Sequence, residues 1–270
     1  MKSKRFFSVL LFAATALCGL VSCKSEYEVI LASNNADLKY QAAFQLFDKG
    51  SYQKAAQVFE SLSMLTSGTD RDDTVQYYWG LCNYRQKDYF TAETNFQNFI
   101  TNFPRSPFAE SATFLRLDCL YKGTNRYELD QKPTYAAITA ISEYMIENPD
   151  NPHMAVCNRM LEDLNERLDR KAFENAKLYY RMEDYKAARV ALVNVLREDA
   201  DNLYREDVLY YTAMSSYNYA RMSVPAKRRE RYMVFVDDYY NYIGEYPDTK
   251  RAKELEKIFD KVKDNETSAR

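Results

Sequence analysis

Small, aromatic and aliphatic residues recur along this chain at helical spacing, with polar residues filling the positions between them. Ala43…Tyr52-x2-Ala55-x3-Phe59 returns as Gly80…Tyr89-x2-Ala92-x3-Phe96, and again as Ala176…Tyr185-x2-Ala188-x3-Leu192. In each copy the tyrosine follows the small residue by nine positions. Residues at i, i+3 and i+7 share one face of a helix, so the tyrosine, alanine and large apolar residue line an inner face. The small residue lets the preceding antiparallel helix come close. A second regularity sets Tyr89 and Pro104, Thr134 and Pro149, and Tyr232 and Pro247 each fifteen residues apart. Helix pairs that repeat in this way leave an apolar flank that only the next pair covers.

The spacing predicts repeats over 37–70, 71–106, 107–151, 152–202 and 203–247, then a closing helix over 248–263 and a disordered tail over 264–270. The five leading positions, 52, 89, 134, 185 and 232, step by 37, 45, 51 and 47. Insertions are therefore placed at 122–133 and 223–231, with a long helix over about 153–182. Ser51, Asp88 and Asp184 are expected as N-caps, and Ser106-Pro107 and Asn151-Pro152 as pairs of N-cap and first-turn proline. The A-x3-F…P core is that of the tetratricopeptide repeat. The fold expected is all-α: a tetratricopeptide solenoid of about five helix hairpins plus a C-terminal capping helix. No Gly/Ser linker breaks it, so residues 37–263 are read as one domain.

The N-terminus carries a different signal. Lys2, Lys4 and Arg5 precede an uncharged, mostly apolar run from Phe6 to Val21. That is short for a membrane span and suits a secretory signal peptide over 1–22. Leu20-Val21-Ser22-Cys23 resembles the lipobox of bacterial lipoproteins, which makes Cys23 the lipidation site and 23–36 a lipidated tether. Several acyl chains give a stable anchor where one alone is marginal. Lys24 stands where an aspartate would hold the protein at the inner membrane, so the outer membrane is expected, with the body facing the periplasm. Without residues 1–22, 34 basic residues remain against 39 acidic ones, a net charge of −5. That balance argues against non-specific nucleic-acid binding. Cys82, Cys119 and Cys157 sit in apolar helical patterns and read as small buried hydrophobes, not a disulfide framework.

Catalytic chemistry finds little provision. The one histidine, His153, lies at a helix start, no Cys/His spacing suits zinc, and no Gly-rich loop opens a helix. No enzyme activity, metal or cofactor is expected. Asp72-Asp73 fits a helix N-terminus, where acidic residues complement the macrodipole. The 24 tyrosines are mostly expected as inter-helix packing. By register, Tyr40, Phe44, Phe47, Tyr77, Tyr84, Phe114 and Tyr121 face a concave side, where flat rigid rings suit an extended peptide. Lys227, Arg228 and Arg229 form a basic run suited to an acidic partner surface or to plain solvation. Asp73-Thr74-Val75 resembles a short O-glycosylation signal at Thr74.

The order of features resembles the BamD family, lipoproteins of the machinery that assembles β-barrels into outer membranes. Its landmarks are Leu161-Glu162 through Leu168-x3-Ala172-Phe173-Glu174-x2-Lys177-Leu178-Tyr179-Tyr180 running into Asp184-Tyr185-Lys186-Ala187-Ala188, then Arg126-Tyr127-Glu128-Leu129-Asp130-Gln131, and Leu203-Tyr204-Arg205-Glu206-Asp207-Val208-Leu209. The tyrosine-rich helices look like a Bacteroidetes branch, and Ala191 replaces an arginine of proteobacterial members. The resemblance implies binding to the POTRA domains of BamA through C-terminal repeats, and capture of unfolded β-barrel outer-membrane proteins through N-terminal ones. Two alternatives carry other functions: a generic repeat-containing envelope or division scaffold, which usually has a coiled-coil or low-complexity arm, and a SusD-type glycan binder. The latter is about twice as long, and the single Trp79 is poor provision for sugar stacking.

Overall fold

The computed structural model describes residues 25–267, and side chains within them up to residue 263. The expected signal peptide and Cys23 lie outside the described residues. The described residues form two compact units, which divide after Gly123. Among the described residues every regular element is a helix. The fold is all-α, built from tetratricopeptide-type hairpins.

The first unit opens with α1, Glu26–Ala32, inside the stretch expected as tether. Ser25 and Glu28 close a reciprocal capping box, with Ser25 Oγ accepting from Glu28 N and Glu28 Oε2 from Ser25 N. Tyr27, Ile30 and Leu31 form an i, i+3, i+4 stripe that packs on the first core. Then follow α2 (Ala36–Asp48), α3 (Tyr52–Thr66), α4 (Asp72–Arg85), α5 (Tyr89–Asn102) and α6 (Ala109–Lys122), each against the next. The first core gathers Ala43, Ala55, Val58, Phe59, Leu62, Val75 and Cys82, and the second Tyr77, Ala92, Phe96, Phe99, Ala112 and Cys119. At Gly80 a Cβ would meet the Phe96 ring at 3.0 Å, which explains the small residue there.

The second unit starts with the loop 124–131, followed by α7 (Lys132–Glu147), α8 (Met154–Arg181), α9 (Tyr185–Glu198), α10 (Arg205–Arg221), α11 (Pro225–Glu245) and α12 (Lys250–Thr267). The long helix expected over about 153–182 is α8, 28 residues or about 42 Å of axis. The expected insertion 223–231 is mostly helical, because Pro225 pre-sets the first turn of α11. The closing helix runs four residues past the expected end at 263. Phe173, Ala176, Leu192, Val195 and Val208 form one core, with Ala213, Phe235, Tyr239, Tyr242, Ala252 and Leu255 in another.

Two turn types recur. Gly50, Lys87 and Glu183 sit at positive φ between the helices of a hairpin. In each, two backbone bonds close the preceding helix: Ser51 N to Leu46 O with Gly50 N to Phe47 O, and likewise Asp88 to Asn83 with Lys87 to Tyr84, and Asp184 to Tyr179 with Glu183 to Tyr180. Asp88 and Asp184 then cap the next helix by accepting from Thr91 N and Ala187 N. Ser51 holds the cap position, but its side chain makes no capping bond.

The second turn leads into a hairpin. Thr69, Ser106, Asn151 and Asn202 each accept the N–H two residues on with a side-chain oxygen. The backbone carbonyl of each accepts the N–H three residues on, where the helix begins. Ser106 and Asn151 therefore do not cap their helices directly, as expected from sequence. They form the turn that delivers the chain to α6 and α8, the proline following each as its second residue.

Candidate functional site

In the first unit the aromatic residues singled out from sequence differ in depth. Phe44 meets Phe59 and Tyr78 edge-on at centroid distances of 5.2 and 4.7 Å, and Phe47 meets Tyr52 and Tyr78 at 5.4 and 5.2 Å. Tyr77 is only 8% exposed. It stacks on Phe108 at 4.6 Å and shares a 2.8 Å hydrogen bond with the Ser111 hydroxyl. These rings join one hairpin to the next.

Tyr40, Tyr84, Phe114 and Tyr121 are half-buried, as Phe44 and Phe47 are. The Arg71 guanidinium lies 4.9 Å over Tyr40 while holding Asp37 at 2.6 Å. Tyr84 donates to Asp118 Oδ2 at 2.5 Å and accepts from Lys122 Nζ at 2.7 Å. Burial and the Asp118 carboxylate push the Tyr84 phenol above its usual range. Burial opposes the Lys122 charge, but Asp118 and the Tyr84 hydroxyl outweigh it and raise that ammonium's pKa. The pairs 37 with 71, 77 with 111, and 84 with 118 each lie 34 residues apart. Polar links thus recur at one spacing along the first helices of successive hairpins.

In the second unit Lys227, Arg228 and Arg229 stand exposed in the first turns of α11. Arg228 donates to Ser223 O at 3.1 Å, and Arg231 covers the Tyr219 ring at 4.0 Å. Cations are misplaced here, since peptide dipoles leave partial positive charge at a helix N-terminus. Met222, Val224 and Met233 beside them are exposed apolar side chains. Helix stability therefore does not explain the run.

Two sets of tertiary contacts carry no sequence signal. The loop 124–131 is tied to α8 by Lys171 Nζ, which donates to Tyr127 O at 3.0 Å and Leu129 O at 2.7 Å, and by Arg170 lying 4.3 Å over the Tyr127 ring. Asp238, 4% exposed, accepts from Arg189 Nε at 2.7 Å and Nη2 at 2.9 Å and from Ser216 Oγ. Residues 49 apart give no pattern to read.

Cys82, Cys119 and Cys157 are buried free thiols, and burial pushes Cys82 and Cys119 up to about 12, which leaves them unreactive. His153 occupies the N-cap position of α8. Thr74 is half-buried in the first turn of α4 and pairs with Asp73. Among the described residues no cluster of His, Cys, Asp and Glu could hold a metal ion, and no helix is long and apolar enough to cross a membrane.

A family model described as "YfiO: Outer membrane lipoprotein" matches residues 33–233. Among solved structures, the chain is similar to a TPR repeats protein from Bacteroides fragilis. That similarity has 15% identity and a TM-score of 0.40, and covers 86% of this chain and 99% of the other. No curated protein matches the chain.

Proposed function

The chain belongs to the YfiO family of outer membrane lipoproteins, and on that premise we propose that it is a lipid-anchored scaffold of the β-barrel assembly complex. Its partners in this reading are the POTRA domains of BamA and unfolded β-barrel outer-membrane proteins. Cys23 is the anchor, the body faces the periplasm, and the branch is the Bacteroidetes-like one.

The observation that carries this reading is the extent of the family match. It runs from just before α2 into α11 and so takes in the repeats of both units, not only a leader. The misplaced cations at the start of α11 support docking of an acidic partner there. For substrate capture the surface proposed is that of Tyr40, Phe44, Phe47, Tyr77, Tyr84, Phe114 and Tyr121. Its half-buried members, Tyr40, Phe44, Phe47, Tyr84, Phe114 and Tyr121, offer the ring area, and the buried Tyr77 supports them from beneath.

Affinity purification of the full-length protein from its own outer membrane tests the whole. The barrel subunit should co-purify. Recovery of a peptidoglycan enzyme with no barrel subunit would replace this reading with the division scaffold. For the substrate surface, Tyr40→Ala with Tyr84→Ala should weaken binding of a peptide copying a barrel protein's C-terminus while helicity stays intact. Unchanged affinity in the folded double variant would return these rings to plain packing.

A further inference from the structure

Asp72 opens α4, and its side chain is held unusually. Oδ2 accepts from Gly68 N at 2.8 Å, a residue at positive φ in the α3–α4 turn. Oδ1 is shielded from solvent and meets no hydrogen-bond donor among the described residues. The residue is only 8% exposed. A buried carboxylate oxygen without a donor is costly, and such a group calls for a partner. Asp72 lines a cleft of about 350 Å³ together with Ser67, Gln76, Asn98, Asn102 and Phe103.

The chemistry of that lining selects a ligand. Three carboxamides, a hydroxyl and a carboxylate give several oxygen acceptors and one negative charge. No described residue hydrogen-bonds to the side-chain amides of Gln76, Asn98 or Asn102, so each can turn its oxygen inward. A primary ammonium carries three donors and one positive charge, which this set satisfies. The cleft has room for roughly ten water volumes, far more than a bare metal ion needs and enough for an alkyl chain bearing the charge. Asn102 and Phe103 also line the neighbouring cleft, which Asp70 and Asp73 border and where Arg105 is the cation. Asn98 and Asn102 stand one turn apart on α5, and a carboxamide presents a donor beside an acceptor, as a peptide unit does.

We propose that this cleft binds a lysine side chain of an extended polypeptide, with the carboxamide oxygens of Gln76, Asn98 and Asn102 around the ammonium and the Asp72 carboxylate supplying the opposing charge. It shares no residue with the aromatic surface proposed above and does not rest on it.

The test titrates full-length protein with fluorescein-labelled Ser-Gly-Lys-Gly-Ser amide, read by anisotropy and by the side-chain amide resonances of Gln76, Asn98 and Asn102. The peptide should bind saturably and shift those resonances. Acetyl-lysine in place of lysine, and Asp72→Asn in the protein, should each weaken binding at least tenfold. Because Asp72 also holds the α3–α4 turn, Asn98→Ala with Asn102→Ala serves as a second variant. Both positions are exposed, so the fold should persist while affinity falls about threefold. The proposal is overturned if acetyl-lysine binds equally well, or if both folded variants bind like wild type. No resonance shift at millimolar peptide would mean a cleft holding water only. Displacement of the peptide by calcium chloride at matched ionic strength would make it an inorganic cation site. Phosphoethanolamine binding as tightly as the peptide would assign it to a lipid headgroup instead.

Discussion

Asp238→Ala should be among the most damaging single substitutions in the second unit. The carboxylate is 4% exposed and accepts three hydrogen bonds, two of them the parallel fork from Arg189 at 2.7 and 2.9 Å and the third from Ser216. Truncation would leave the guanidinium unpaired and the buried Ser216 hydroxyl short of one partner. Breaking a fully buried pair costs about 3–5 kcal/mol. The Arg189 side chain is 34% exposed and regains part of its hydration, so about 2–3 kcal/mol is expected here. Asp238→Asn keeps an acceptor for one arm and should lose about half of that. Joint replacement, Arg189→Met with Asp238→Leu, removes both charges and should recover most of the loss. The Asp238 bonds raise the Arg189 pKa above an already high reference. The stability this guanidinium gains is therefore complete below its unfolded pKa and fades only as pH rises through the folded one. The loss in Asp238→Ala should accordingly be the same from roughly pH 6 to 9. Urea melts of the full-length protein, with amide exchange in α10 and α11 to localise the effect, measure it. A midpoint equal to wild type would refute the reasoning, and a double variant worse than Asp238→Ala would refute the assignment of the loss to an orphaned charge.

Other outcomes follow from packing, turns and titration. Ala92→Leu places a larger side chain at a fully buried position beside Phe96 and Phe99, and should overpack the second hairpin by about 1–3 kcal/mol in a chemical melt. Lys87 and Glu183 adopt φ of 65° and 62°, where glycine carries no Cβ penalty. Lys87→Gly and Glu183→Gly should each raise stability by about 0.5–1 kcal/mol, checked by melting midpoint. Burial raises the phenol pKa of Tyr78, Tyr84, Tyr180, Tyr210, Tyr239 and Tyr242. The unfolded chain then ionises first, so stability should hold below about pH 10 and fall above it, with ultraviolet titration of the folded protein showing tyrosinate appearing late.

The helices were legible because a 3.6-residue period survives in the alanine and aromatic positions. Depth was less so. Register puts Tyr77 and Tyr84 on one helix at a two-turn spacing, yet only packing against Phe96, Phe99 and Phe108 decides that Tyr77 is buried. The seven residues of α1 are too few for a period to declare itself, although Tyr27, Ile30 and Leu31 carry one. Ser106 and Asn151 stand two residues before the N-cap positions Phe108 and His153, and the sequence does not separate the two roles because the same oxygen can cap a helix or close the turn before it. The Arg189–Asp238 pair and the Asp72 cleft join distant segments, so only the folded chain shows them.

The variable repeat lengths have a structural source that yields the sharpest test of function. From Thr69 to Ser106 the chain takes 37 residues, made of two 14-residue helices, a three-residue turn inside the hairpin and short fixed connections. From Asn151 to Asn202 it takes 51, and α8 is 28 residues where α4 is 14, which accounts for the whole excess of fourteen. From Asn202 to Thr249 it takes 47, and α10 at 17 and α11 at 21 account for the excess of ten. In these repeats the connections stay constant while the helices lengthen, whereas the excess of eight from Ser106 to Asn151 is six residues in the connection 123–131 and two in α7. The seven residues added to α11 are 225–231, close to two helical turns, so they shift the buried face of the rest by little. They carry Lys227, Arg228, Arg229 and Arg231 against one acid, Glu230, at the helix end where cations are least welcome. Replacing residues 219–231 with the turn Gln86-Lys87-Asp88 would restore the 37-residue length and remove the basic extension. If the extension is a dock, the chimera should melt near wild type and lose association with BamA POTRA domains. A chimera that folds and still binds them would place the dock elsewhere. One that fails to fold would show the extension to be structural, and charge reversal of Lys227, Arg228 and Arg229 in the intact chain then decides. It should slow association and weaken its salt dependence, since rim charges act mainly through steering.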